Sequence, residues 1–153
     1  MDWFLELITN PFLITSTSSW FIAQVLKTII NGIINKKWTL ERMVGDGGMP
    51  SGHSATVSSL AMITALRFGP GSFEFAAAAI LAIIVCHDAM GVRLETGKQS
   101  ILLNEIVKSF EFLTKEELPE LKLKEFVGHT PSQVLVGISI GILNALIMHF
   151  FVF

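Results

Sequence analysis

Two histidines stand where apolar stretches begin. Residues 47–55 read GGMPSGHSA. Ser51 fits there as a helix N-cap, which puts Gly52 and His53 in the first turn. Residues 128–137 read GHTPSQVLVG. Thr130 fits as N-cap, Pro131 as first helical residue and Gln133 as third, the pattern of a capping box. His129 just precedes that cap. The first turn of a helix carries unpaired N–H groups and the positive end of the helix dipole, so both places suit a phosphate. The glycines ahead of Ser51 let a ligand approach the backbone closely.

Further polar residues fall near the same boundary. Residues 87–99 read HDAMGVRLETGKQ and place Asp88 and Arg93 just after an apolar run. Arginine is the natural bidentate partner of phosphate. Lys27 lies inside an apolar stretch, on one helical face with Gln24 and Asn31. Ionisable groups at such depth usually face a bundle interior and mark a site. Each residue also has a plainer use. His53 and His129 can bond local backbone, and Arg93 can anchor at headgroups. Lys27 can snorkel, and Asp88 can bridge to Arg93 or to Lys27. His87 and His149 are read as structural.

The elements that position these residues are membrane helices. The 153 residues suffice for one domain. Hydrophobic residues make up 51% and charged residues 16%, against a usual charged share of about 25%. Mean hydropathy is +0.60. This composition excludes a disordered chain, a coiled coil and a nucleic-acid binder with a basic face. One cysteine, Cys86, excludes an internal disulfide and a multi-cysteine metal site. Apolar stretches at 18–35, 54–68, 73–92 and 134–153 read as about four spans. Residues 3–14 are apolar but broken at Asn10–Pro11. They read as an interfacial or re-entrant helix and not as a secretory signal. Residues 98–113 read as an amphipathic helix that lies on the membrane or roofs the bundle. Pro119 limits any continuous helix in the charged stretch that follows.

Four spans put 35–53 and 93–130 on one side. Those segments hold Lys36, Lys37, Arg42, Arg93, Lys98, Lys108, Lys115, Lys122 and Lys124, whereas the other side has only Arg67 at its edge. The positive-inside rule makes the charged side cytoplasmic. The expected protein is an all-α, small integral membrane bundle of residues 1–153. Residues 94–127 form a charged cytoplasmic-side insertion in it.

PSGHSA at 50–55 is similar to the middle signature of the type 2 phosphatidic acid phosphatases, membrane relatives of vanadium-dependent haloperoxidases. HTPSQVLVG at 129–137 resembles that family's last signature. The three blocks together look closest to its divergent branch, the acid phosphatase/vanadium-dependent haloperoxidase-related membrane proteins. The resemblance implies a phosphatase that works through a phosphohistidine without a metal. Matched by position, His129 would be the nucleophile and His53 the general acid. Arg93, Lys27, Ser51 and Gly52 would hold the phosphoryl oxygens, with Asp88 beside them. Vanadate would mimic phosphate, and no cofactor is implied.

Three features depart from the family pattern. Gln133 stands where the family has an aspartate four residues after the nucleophile. The family's first signature, a lysine followed by Arg-Pro, is absent, and Lys27 and Arg42 are the candidates to replace it. Arg93 is separated from His129 by the insertion. The leading expectation is a phosphatase for a lipid phosphate, another phosphate monoester or a diphosphate at the cytoplasmic surface. The alternative is a binding or scaffold protein that keeps the pocket without turnover. A transporter component, less favoured, would need a homo-oligomer at this size.

Overall fold

The computed structural model describes residues 2–36, 47–114, 123 and 128–153. Six helices follow in order: α1 Asp2–Ile8, α2 Pro11–Asn35, α3 Gly52–Phe68, α4 Phe73–Met90, α5 Val92–Thr114 and α6 Pro131–Phe151. Arg42, Pro119 and the lysines at 37, 115, 122 and 124 lie outside the described residues.

The helices start where short polar residues can receive first-turn amides. Asn10 caps α2, its side chain accepting from the N–H groups of Phe12 and Leu13. Ser51 caps α3 through Ser54 N–H, and Ser72 caps α4 through Phe75 N–H. Pro11 and Pro131 each occupy a first turn, where a missing N–H costs nothing. Asn10–Pro11 is therefore a helix start and not a break inside one element. Residues 11–14 belong to the first long helix, and the helix before them is only seven residues long.

The bundle is large and apolar outside, small and polar inside. Ile83 and Phe150 are each 68% exposed, while Ser51, Ser54, Ser59, Thr15 and Ser19 are fully buried. A water-soluble protein has the opposite arrangement. Among the described residues, three stretches are long and apolar enough to cross a bilayer: Pro11–Ile34, Phe73–Phe110 and Pro131–Phe151. At about 1.5 Å per residue, α6 is about 32 Å long, close to the roughly 30 Å hydrocarbon core. The serine-rich α3 has 17 residues and packs against α2, α4 and α6. Its hydroxyls turn back on their own helix: Thr56 donates to Gly52 O at 2.8 Å, Thr64 to Leu60 O at 2.7 Å, and Ser58 to Ser54 O. Such bonds satisfy polar groups where water is scarce.

The tightest contact is between α3 and α6. Gly137 and Gly141, spaced four apart, lie flat on α3. A Cβ at Gly137 would sit 2.4 Å from Ser51 O, and one at Gly141 would sit 2.3 Å from Ala55 O and 2.9 Å from Ser59 N. Small residues at this spacing let membrane helices approach to backbone contact. Farther along α6, the buried Asn144 ties this helix to α2. Its Nδ2 lies 3.2 Å from Thr15 O, 2.9 Å from Ser18 Oγ and 2.8 Å from Ser19 Oγ.

Among the helices, α5 packs only against α4, so it does not roof the bundle. It joins α4 through Gly91, whose N–H donates to His87 O at 2.8 Å. The N–H of Glu95 in turn donates to Gly91 O at 3.0 Å. The chain after α5 returns to the α4–α5 junction. There His129 N–H donates to Ala89 O at 2.9 Å, and Gly128 lies on the backbone of Leu94.

Gly141→Ala is expected to destabilise the protein by roughly 1–3 kcal/mol or more, because the new methyl meets backbone and not a flexible side chain. Gly71, which has open space around it, supplies the control. Gly71→Ala is expected to stay within about 0.5 kcal/mol of the unmodified protein. Unfolding of both variants in detergent, followed by circular dichroism, checks the difference.

Candidate phosphate site

Close packing of α3 on α6 brings the two helix starts together. Ser51 N–H donates to Gln133 O at 3.1 Å, joining the cap of one helix to the first turn of the other. The rings of His53 and His129 follow, with centroids 6.1 Å apart and an edge-on angle of 63°. His129 is almost fully buried, whereas His53 is exposed.

The surroundings of His129 determine its proton. Nδ1 lies 3.1 Å from Gly48 O and 3.3 Å from Gln133 Oε1. A carbonyl oxygen can only accept. The Gln133 amide is oriented by a second contact, since its Oε1 also accepts from Thr130 N–H at 3.1 Å. Both neighbours of Nδ1 are therefore acceptors. Nδ1 carries the hydrogen, and in the neutral ring Nε2 keeps its lone pair. Burial pushes the His129 pKa below the ordinary imidazole value. The charges of Lys27 and His53 push the same way, while the bonds to Gln133 and Gly48 oppose them.

Gly47 and Gly48 both have positive φ, 81° and 85°, which permits the tight turn that aims the Gly48 carbonyl at His129. A Cβ on Gly48 would sit 3.7 Å from Lys27 Cγ and Cδ, so the lysine stem packs along this turn. Beside it is a cavity of about 200 Å³. Lys27 and Asn31 of α2 line it, with Gly47, Gly48, Met49 and Gln133. Ile30 and Ile34 complete the wall, and Ile34 is itself 71% exposed. The cavity is thus polar at its floor and apolar at its mouth.

The other candidates have different surroundings. Ser51 is fully buried, and its Oγ is occupied in capping α3 and in accepting from Ser54 Oγ at 3.0 Å. Gly52 lies against Trp20 and Gln24, with 3.3 Å from a Cβ there to Trp20 Cδ1. Arg93 has its backbone against Gly128. Its guanidinium is half exposed and donates from Nε to Asp88 Oδ2 at 2.7 Å. Asp88 thus takes the bridging role open to it, with Arg93 and not Lys27 as the observed partner.

Lys27, Gln133, His129 and His53 are brought together. The Arg93–Asp88 pair stands at the α4–α5 junction. The Gly48 carbonyl completes the setting of His129, and only the glycine pair before the cap hinted at it in the sequence. Among the described residues, no group of three or more His, Cys, Asp or Glu is placed to hold a metal ion.

Residues 8–144 match the divergent PAP2 family. The chain is also 38% identical to the uncharacterized membrane protein YuiD of Bacillus subtilis (strain 168), over 96% of this chain and 99% of that protein. No solved structure matches. With nearly nine-tenths of its length matched to one family and a membrane protein as full-length relative, this chain is an integral membrane helical bundle of the divergent PAP2 family.

Proposed function

We propose that the protein is a membrane phosphohydrolase that transfers the phosphoryl group of a phosphate monoester or diphosphate to His129 and then to water. The observation that carries this reading is the setting of His129. Two acceptors hold the hydrogen on Nδ1, which leaves Nε2 with its lone pair, and the ring stands 6.1 Å from that of a second histidine and within the field of a buried lysine.

The chemistry balances with these groups alone. The Nε2 lone pair attacks phosphorus and the P–O bond to the leaving group breaks. The departing oxygen takes a proton from the His53 imidazolium. Neutral His53 then removes a proton from water, which attacks the phosphohistidine. The N–P bond breaks, phosphate leaves, and His53 is again protonated. Lys27 and helix-start amides neutralise charge on the transferring group. Arg93 contributes if its guanidinium exchanges Asp88 for the substrate.

A lipid phosphate suits the polar floor and apolar mouth of the cavity. In this reading the site faces the cytoplasm, the side to which the positive-inside rule assigns the charged loops. No cofactor or nucleic acid takes part, and vanadate binds as a phosphate mimic. A homo-oligomer is compatible with the site.

One observation favours a binding or scaffold role as the second reading. Both partners of His129 Nδ1 are neutral, so the imidazolium that forms on phosphoryl transfer lacks a counter-charge. Loss of such a charge in serine proteases costs about 10⁴ in rate, mainly through the wrong tautomer. Here Gly48 and Gln133 hold the tautomer, so the electrostatic part is what is missing. Hydrogen bonds to charged groups are worth about 1.5–3 kcal/mol, against about 0.5–1.5 for neutral ones.

Gln133→Glu is accordingly expected to raise turnover about 10-fold or more, up to about 10³-fold, in phosphate release from a lipid-phosphate panel. His129→Ala should abolish release while vanadate binding persists in part. No release from either the unmodified protein or Gln133→Glu, with vanadate still bound, would leave the scaffold reading in place.

The pH dependence supplies a second check. Attack needs neutral His129, whose pKa is lowered, so the acid limb of kcat/KM is expected below about pH 6.5. The added carboxylate of Gln133→Glu should move that limb upward. The linked stability has the same sign. The unfolded chain binds this proton more readily, so the His129 contribution is complete above about pH 6.5 and is lost as pH falls below it. Melting temperatures of the unmodified protein and His129→Ala across that range should diverge accordingly.

A further inference from the structure

Helix α5 has three distinct sides. Gly97, Ser100 and Asn104 form a buried side. The backbone of Leu123 is held against it: Asn104 Nδ2 donates to Leu123 O at 3.0 Å, and Asn104 Oδ1 accepts from Leu123 N–H at 3.1 Å. Lys98, Glu105 and Lys108 form a charged, exposed side. Leu102, Leu103, Ile106 and Leu113 form the third, all roughly half exposed or more, with Leu113 at 78%. At about 100° per residue the centres of these sides lie roughly a quarter to two-fifths of a turn apart, with Lys98 bordering Leu102 and Lys108 bordering Gly97.

We propose that α5 lies in the headgroup layer of the membrane, with Leu102, Leu103, Ile106 and Leu113 buried in the bilayer surface and Lys98, Glu105 and Lys108 towards water. The connection to α4 commits the face to lipid. Helix α4 lies in a stretch apolar enough to cross the bilayer and exposes Ile80, Ile83 and Ile84. Only Gly91 separates it from α5, so α5 starts where the exposed polar residues His87, Arg93 and Glu95 mark the edge of the hydrocarbon core. The charge distribution fits the same placement: the charged side is centred roughly a third of a turn from the apolar one, with Glu105 at its edge beside Leu102 and Ile106, and with Ile101 and Phe112 exposed among the charges. A straight passage through the membrane is not compatible with the length. The 38-residue run from Phe73 to Phe110 would measure about 57 Å, well beyond a roughly 30 Å core.

The charge balance sharpens the proposal. Three basic residues, Arg93, Lys98 and Lys108, are matched by three acidic ones, Glu95, Glu105 and Glu111. Attachment therefore rests on apolar burial, with no preference for anionic lipid. This placement is independent of whether the phosphate site turns over. It gives α5 the work of fixing the depth of the α4–α5 junction, on which Gly128 and His129 rest.

Single cysteines at Leu102, Ile106, Lys98 and Lys108, in a Cys86→Ser background with unchanged circular dichroism, test the proposal. Each is labelled with an environment-sensitive dye in phosphatidylcholine nanodiscs that hold one protein copy and carry spin-labelled lipid. Dyes at Leu102 and Ile106 are expected to be blue-shifted and quenched several-fold more than dyes at Lys98 and Lys108. Anionic lipid or added salt should leave this contrast unchanged. Equal quenching on both sides would show a membrane-crossing helix and overturn the proposal. Unquenched dye at Leu102, protected only when a disc holds two copies, would assign the face to a second copy and also overturn it. A Leu103→Glu, Leu113→Glu variant that keeps its melting temperature should lose the quenching at Leu102. Retention there would count against the proposal too.

Discussion

Backbone contact between α3 and α6 is the constraint on which the rest of this structure depends. Gly137 and Gly141 leave no room for a side chain, and α3 answers them with Ser51, Ser54, Ala55, Ser58 and Ser59. In a bilayer, apolar side chains gain little by leaving lipid for one another, so close van der Waals approach must supply much of the attraction. The same approach aligns the two helix starts, and His53 meets His129 because the axes can come this close. A larger residue at Gly137 would therefore disturb the candidate site as directly as it disturbs the fold.

Much of this arrangement was legible in local chemistry. The caps at Ser51 and Thr130, the proline at the start of α6 and the amphipathic character of α5 follow from short patterns with known physical causes. Asn10 was harder. A proline beside an asparagine reads equally as a break or as a cap, and only the accepted amides of Phe12 and Leu13 decide. The small-residue spacing at Gly137 and Gly141 was present in the sequence as GISIG, but a glycine pair does not reveal which helix it faces. The Gly48 carbonyl was less accessible still, because backbone acceptors have no letter of their own. Lys27 and Gln133 were readable as polar groups in unusual places. Their convergence on one cavity is a long-range fact that no window of sequence contains.

Gln133 shows how one side chain can serve fold and site together. Its Oε1 accepts from Thr130 N–H, as a capping residue should, and lies near His129 Nδ1 at the same time. A glutamate could make both contacts and would add charge at a helix start, where negative charge is welcome. Neutrality at this position is thus not demanded by the helix. It bears on the histidine, whose burial already favours the uncharged ring.

The way the chain comes back to the junction has an architectural consequence. Gly128 has a φ of 87° and sits so tightly on Leu94 that a Cβ there would lie 2.3 Å from the Leu94 nitrogen. The next residue is fastened to Ala89 by a backbone bond. The segment between Leu94 and Gly128 is therefore clasped at its base like a closed purse. Extra chain inside a clasped loop costs little, about 0.6 kcal/mol for each doubling of length. A change of chain length after the end of α5 at Thr114 and before Gly128 therefore costs the seat of the histidine little, which makes that stretch, and not α5, the natural place to graft a reporter or a tether onto the molecule.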